Sequence, residues 1–240
     1  MAEAPATGSR GPEPGSGGAE AGPISAATWS GGSSGGSGGS GTGEPTAALL
    51  PSPQPLWQAP MAEVLEASAG DQLSGPWKLL LLGDGSPTRH LQLLTGLPLE
   101  VELIAMAPDP GGDPLCPREV QELEQPLLRR QVWLACGALT LGWAESWWNR
   151  HEAEAQLRRR EQPIWRSLTE GRTELFREVD GLAQVQAPWL EQRFGRPGPF
   201  WSRHYRFFRQ GRELTVIREV FSPLLETWLG PAEAHRHNNS

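Results

Sequence analysis

The residues that could do chemistry in this chain are the polar ones set inside otherwise apolar, strand-like runs. Arg130 opens the run Arg130-Gln131-Val132-Trp133-Leu134, and in an extended backbone its same-side followers are Val132 and Leu134. A guanidinium placed there lies at the inner rim of an apolar face, where it can hold a carboxylate through a two-donor fork. Glu219 lies in the run Leu214-Thr215-Val216-Ile217-Arg218-Glu219-Val220-Phe221, and Gln210-Gly211 separates that run from segment 200–208. If Gln210-Gly211 is a two-residue hairpin turn, Glu219 stands opposite Ser202, and His204 and Arg206 share its face with Thr215, Ile217 and Phe221. A carboxylate among apolar neighbours and beside donors can have its pKa raised, exchange a proton or bind a hydroxyl. The same residues also fit a structural use, in which Glu219 pairs with Arg206 or Arg218 to stitch the sheet and Arg130 caps a strand end.

Other conspicuous residues carry less chemistry. Trp143, Trp147 and Trp148 suit packing on alternate sides of a sheet better than an aromatic cofactor box. Arg158, Arg159 and Arg160 read as the solvated end of a helix, and Cys136 as a small apolar filler beside a turn. His90 and His204 read most simply as hydrogen-bonded structural residues, because no second metal ligand falls at suitable local spacing. The two cysteines, Cys116 and Cys136, can build neither a disulfide framework nor a zinc site, which points to a reducing compartment. No Gly-rich phosphate loop, Walker pattern or His-Glu-x-x-His motif is present, so no metal site is expected.

These residues must be positioned by the downstream part of the chain. The sequence has 240 residues, 29 of them Gly and 11 Trp, with a formal net charge of −7. About half of the glycines lie in the first fifth of the chain, whereas every tryptophan except Trp29 falls after residue 56. Residues 1–55 hold too few apolar side chains to offset chain entropy and are expected to be a disordered arm. A single folded domain is expected over 56–231, followed by a flexible tail at 232–240. The acidic balance argues against a nucleic-acid partner. The longest apolar stretch, residues 103–107, is far shorter than the roughly 20 residues that span a bilayer, and no leader pattern precedes it, so a cytoplasmic location is expected. Lys78 is the only lysine among 21 basic residues, a bias that codon composition explains at most positions.

Hydrophobic periodicity predicts short helices at 61–67 and 77–82, the second ending at Gly83-Asp84-Gly85, then an extended segment at 88–94 and a strand at 99–105. A Pro/Gly/Asp-rich loop follows at 108–117, and a hairpin at 130–136 and 139–147 turns at Gly137-Ala138. A helix at 151–160, a helical turn at 163–168, a strand at 173–185 interrupted near Gly181, and a helix at 189–194 come next. A second hairpin, 200–208 with 213–221, and a closing helix at 224–229 complete the chain. This order predicts an α+β fold, a single antiparallel sheet of about six strands with helices packed on one face.

Four motifs, in order, carry a family resemblance: Gly85-Ser86-Pro87-Thr88-Arg89-His90-Leu91, Arg130-Gln131-Val132-Trp133-Leu134, Pro163-Ile164-Trp165-Arg166-Ser167-Leu168, and Leu214-Thr215-Val216-Ile217-Arg218-Glu219-Val220-Phe221-Ser222-Pro223. Together they resemble the chorismate lyase (chorismate pyruvate-lyase) family, in particular its photosynthetic-bacterial branch, from about Trp77 to Pro223. The resemblance implies a chorismate lyase-like sheet with flap-like segments. It also implies a cofactor-free lyase that converts chorismate to 4-hydroxybenzoate and pyruvate for ubiquinone or plastoquinone head groups. The family's carboxylate-binding arginine falls on Arg130, its glutamate near the 4-hydroxyl on Glu219, and a backbone contact on Ile164. The flap position after Ser86 is Pro87, which has no N–H, so an amide contact made there in the family has no donor here.

In this reading His204 or Arg206 neutralises the enolpyruvyl carboxylate. The partners are a small-molecule substrate and product, with no nucleic acid or membrane span, and the protein is expected to act as a monomer. Fold alone does not settle function. The same fold serves as the effector-binding part of some transcription regulators, so a non-catalytic sensor of small aromatic acids is the alternative. Those regulators attach a helix-turn-helix domain, which residues 1–55 cannot form. A third use is an interaction protein that presents its Trp-rich sheet face.

Overall fold

A computed structural model describes residues 48–66, 73–157, 164 and 175–233. The expected arm up to residue 47, the arginine run 158–160, the turn at 163–168 apart from Ile164, and the tail from residue 234 lie outside the described residues.

Seven strands form one antiparallel sheet: β1 (Gln54–Pro60), β2 (Leu99–Asp109), β3 (Leu127–Cys136), β4 (Leu139–Asn149), β5 (Phe176–Gln186), β6 (Phe200–Arg209) and β7 (Arg212–Phe221), in the spatial order β1-β5-β6-β7-β4-β3-β2. Both expected hairpins are present. Gln210 and Gly211, with φ of 52° and 74°, make a turn whose twist matches the strands it joins. The seventh strand, β1, was not foreseen. Gln54 and Pro55 pair with Gln186 and Val185 of β5, so the fold begins ahead of residue 56. It also extends past residue 231, since the Ser74 N–H donates to the Ala232 carbonyl at 2.8 Å and Leu73 bridges Glu233.

Among the described residues the α-helices include α1 (Met61–Glu66), α2 (Gly75–Leu82), α3 (Pro87–Thr95), α4 (Arg150–Gln156), α5 (Pro188–Phe194) and α6 (Glu226–Leu229). Val64, Trp77, Leu81 and Leu91 of the first three bury against Val132, Leu134 and Phe221, and α4 and α6 extend the cover of that same sheet face. The short α5 is the exception, packing Leu190 and Phe194 against Trp133, Trp143 and Val220 on the other face. Segment 88–94, expected to be extended, is helix α3. Pro87 supplies a preset φ at its start, and Gly96, at φ 69°, ends it with an N–H bond to the Gln92 carbonyl at 2.9 Å.

The register of the β6–β7 hairpin corrects the face assigned to Glu219. Next to the turn, Arg209 pairs with Arg212 and Phe208 with Glu213, as a two-residue loop requires. One residue of β7, Leu214, is then extra, so that Phe207 pairs with Thr215 and Arg203 with Glu219. A one-residue bulge moves every later side chain to the opposite face. Glu219 therefore shares its face with Arg203, Tyr205 and Phe207, and Ser202, His204 and Arg206 lie on the other side.

The bulge also half-buries Glu213, whose Oε1 has no hydrogen-bond partner among the described residues. Burial, opposed by Arg206 and reinforced by Glu122, Asp180 and Glu119, pushes its pKa up to about 7. The folded state thus holds this proton more tightly than the unfolded chain, where a glutamate titrates near ~4.3. Stability is full below that unfolded pKa and is lost as pH rises towards 7. Glu213→Gln should therefore raise the melting temperature at pH 8, by about 1 kcal/mol of stability after allowance for solvent screening, and change little at pH 4. Thermal melts at the two pH values check this, and an equal gain at both would sink it.

Candidate functional site

One cavity opens on the helix-covered face of the sheet. Across the strands, Arg130, Ser146, Ile217 and Tyr205 form one paired row, and Val132, Ala144, Glu219 and Arg203 form the next on the same face. Arg130, Glu219, Tyr205 and Arg177 line the cavity together with Ile164 and the first turn of α3, while Val132, Ala144 and Ile217 give it an apolar floor. It encloses about 40 Å³, space for only a few water molecules. Arg130, Ile164 and Glu219, singled out from the sequence, are thus brought together.

Each polar wall residue has a distinct state. Arg130 is 2% exposed, and burial pushes its guanidinium down to about 10, which leaves it charged at neutral pH. Glu219 is 4% exposed. The Tyr205 hydroxyl donates to its Oε1 at 2.9 Å and Arg203 Nε donates to its Oε2 at 3.1 Å. Each carboxylate oxygen keeps a second lone pair, so Glu219 can still accept a hydroxyl from a ligand. Burial, and then the neighbouring Glu219, raise the pKa of Tyr205, so the phenol keeps its proton and acts as a donor. The Ser86 and Thr88 hydroxyls, 2.9 Å apart, add polar groups at the start of α3, where Pro87 has no N–H to offer.

His204 and Arg206 are absent from this cavity and lie on the opposite sheet face, held by protein carboxylates. His204 Nε2 lies 3.2 Å from Glu119, and Arg206 reaches Asp180 at 2.6 Å and Glu122 at 3.1 Å. Burial resists ionisation of Glu119, but His204, a backbone N–H and Arg118 together outweigh it and hold its carboxyl at about 2. Both side chains are therefore committed to intramolecular partners. A second buried set lies on this face: the Glu145 carboxylate accepts from Arg129 Nε at 2.8 Å, Arg218 Nε at 2.6 Å and Gln131 Nε2 at 3.2 Å.

Sequence reasoning missed Tyr205, Arg203 and Arg177. Tyr205 is the single tyrosine of the chain, and a lone phenol inside the polar strand run Arg203-His204-Tyr205-Arg206 is a usable signal. Nothing in the sequence marks Arg177.

Among the described residues, no group of three or more His, Cys, Asp or Glu side chains could hold a metal ion, and no helix is long and apolar enough to cross a membrane.

The chain is similar to known proteins over most of the described residues. A family model described as "Chorismate pyruvate-lyase Rv2949c-like" matches residues 81–229, which include every polar wall residue named above. A protein described as "Uncharacterized protein ycf21" from Cyanophora paradoxa is 31% identical over 151 residues, covering 62% of this chain and 78% of that protein. Its namesake from Pyropia yezoensis is 33% identical over 153 residues, covering 63% and 83%. Among solved structures, the effector domain of PhnF from Mycobacterium smegmatis superposes with a TM-score of 0.46 and 15% identity, over 60% of this chain and 91% of that one. The PhnF structure from the same organism gives 0.46 and 14%, over 59% and 65%.

Proposed function

The chain belongs to the Rv2949c-like chorismate pyruvate-lyase family, and from that premise we propose that its cavity converts chorismate to 4-hydroxybenzoate and pyruvate. The observation that carries the reading is the placement of a buried arginine, Arg130, and a buried, doubly hydrogen-bonded glutamate, Glu219, in the walls of one mainly apolar cavity.

In this reading Arg130 grips the ring carboxylate through its planar fork, and the ring lies over Val132, Ala144 and Ile217. Glu219 accepts the 4-hydroxyl and orients the ring. The ether bond from C3 to the enolpyruvyl oxygen breaks and C4 gives up its proton, which leaves an aromatic ring. The departing enolpyruvate gains one proton at its methylene carbon and becomes pyruvate. The reaction is redox-neutral and gains aromaticity, so the protein has to supply orientation and charge stabilisation rather than a strong catalytic group. The product then serves as a precursor of ubiquinone or plastoquinone head groups.

A benzoate ring needs more room than a few water molecules do, so binding must displace wall side chains. A product enclosed in this way, with its carboxylate on a buried arginine, should leave slowly and inhibit turnover. The test is to incubate the purified protein with chorismate and quantify both products. Equimolar 4-hydroxybenzoate and pyruvate are expected. Binding of 4-hydroxybenzoate without turnover would make the protein a sensor of aromatic acids, and the absence of both would remove the cavity from consideration as an aromatic-acid site.

A further inference from the structure

Two arginines other than Arg130 reach the cavity region, and they are used differently. Arg203 commits every guanidinium nitrogen: Nε to Glu219, Nη1 to the Leu80 and Gly83 carbonyls at 2.8 Å each, and Nη2 to the Gly85 carbonyl at 3.3 Å. Its work is to close the C-terminal end of α2, whose last carbonyls have no partner within the helix. Arg177 lines the cavity and, among the described residues, donates from Nη1 to the carbonyls of Asp84 and Gly85.

The other edge of Arg177 makes no hydrogen bond among the described residues. Its Nε is buried without a hydrogen-bond partner, and of the buried side-chain atoms in that condition among the described residues it is the one that belongs to the cavity wall. Nε and Nη2 together form the edge of a guanidinium that takes a carboxylate by two parallel N–H···O bonds. The plane is already held, because the Arg177 Cζ lies 4.6 Å from the ring centroids of both Tyr205 and Phe207. An unsatisfied buried donor is costly, and a preoriented one is suited to a ligand that arrives with its own acceptors.

The strand order gives the direction. Arg130 on β3, Glu219 on β7 and Arg177 on β5 lie along the sequence of neighbours β3-β4-β7-β6-β5. The outer two strands are about 19 Å apart at four strand spacings, a gap that two long side chains narrow from both ends. A ring with its carboxylate on Arg130 and its hydroxyl towards Glu219 directs a substituent beside that hydroxyl towards β6 and β5.

We propose that Arg177 binds the second carboxylate of the substrate, the one on the enolpyruvyl group, which makes the cavity a dianion site. Arg177 thereby takes the role that the sequence suggested for His204 or Arg206. The inference rests on the aromatic-acid reading of the cavity, and the two can fail separately.

Calorimetric titration with two unreactive probes tests it. One is 4-hydroxybenzoate, a monocarboxylate; the other is 3-(carboxymethoxy)-4-hydroxybenzoate, which carries a second carboxylate at the substituent position. The wild-type protein should bind both. Arg177→Gln should weaken the dicarboxylate by about 10- to 100-fold and 4-hydroxybenzoate by less than about threefold. Arg177→Lys keeps the charge and a donor for the turn carbonyls but lacks the fork. It should retain 4-hydroxybenzoate binding and lose about tenfold for the dicarboxylate, which preserves the test if the glutamine variant does not fold. Equal weakening of both probes, or of neither, overturns the proposal. Wild-type protein that binds neither probe overturns the aromatic-acid reading itself.

Discussion

Arg130→Ala should weaken 4-hydroxybenzoate binding by about 100-fold or more while the protein stays folded. Arg130 is 2% exposed, and its neighbours along β3 on the cavity side include the apolar Val132 and Leu134. A carboxylate entering such a place gives up its hydration, and the guanidinium is what makes that exchange favourable. Removing one member of a buried ion pair costs about 3–5 kcal/mol, and each 1.4 kcal/mol is about tenfold in affinity. The alanine variant enlarges the cavity and lets water solvate part of the incoming charge, which places the loss near the lower end of that range. Arg130→Lys should fall between the two, because an ammonium restores charge without the planar fork. Calorimetric titration, with a thermal melt to confirm folding, reads both effects. Affinity within about threefold of wild type in the alanine variant would refute the clamp.

How far the sequence could go depended on whether a residue's surroundings left a periodic mark. Arg130 was legible because its same-side followers on β3, Val132 and Leu134, are apolar and its carboxylate-gripping chemistry follows from residue type. Glu219 was legible as a buried carboxylate, but its partners were not. Every residue of β7 from Leu214 to Phe221 is buried, so both faces read as core and no alternation reveals that the extra Leu214 has shifted the register. The Gln210-Gly211 turn was correct, and the bulge next to it reversed the conclusion drawn from it. Helix α3 is a different case, since Ser86-Pro87 and Gly96 are ordinary start and stop signals that outweighed the extended reading of the residues between them. Residues 48–55 were absorbed into the arm by composition, although Leu50 and Ser52 reach across the sheet to partners that local sequence cannot show. Arg177 is the hardest: its open edge is defined by the carbonyls of a turn 92 residues or more away and by two rings on another strand.

Glu145→Ala should cost about 3–5 kcal/mol of stability and leave the cavity untouched. The Glu145 side chain is fully buried, and the side chains of Arg129 and Arg218 are 7% and 8% exposed. Burial works against the charge on Arg129, but Glu145 more than offsets it and raises its pKa. Both cations lie over the Trp147 ring, 5.0 and 5.6 Å from its centroid, and both donate to Ser52 Oγ, at 2.8 and 2.9 Å. Ser52 Oγ in turn donates to Asp113 at 2.7 Å, and Gln131 holds the backbone of Leu50. One carboxylate therefore links β3, β4 and β7 to the segment that precedes β1 and to the loop at Asp113. Without it two guanidinium groups stay buried with too little counter-charge, and the melting temperature should fall by about 10 °C. Added salt should do little to soften the loss, because buried charges are poorly screened. Glu145 lies on the sheet face opposite Glu219, so 4-hydroxybenzoate affinity measured well below the melting temperature should stay within about twofold of wild type. A melting temperature within about 2 °C of wild type would show that the two arginines find other compensation. A large loss of affinity at full folding would show that the two faces of the sheet are coupled.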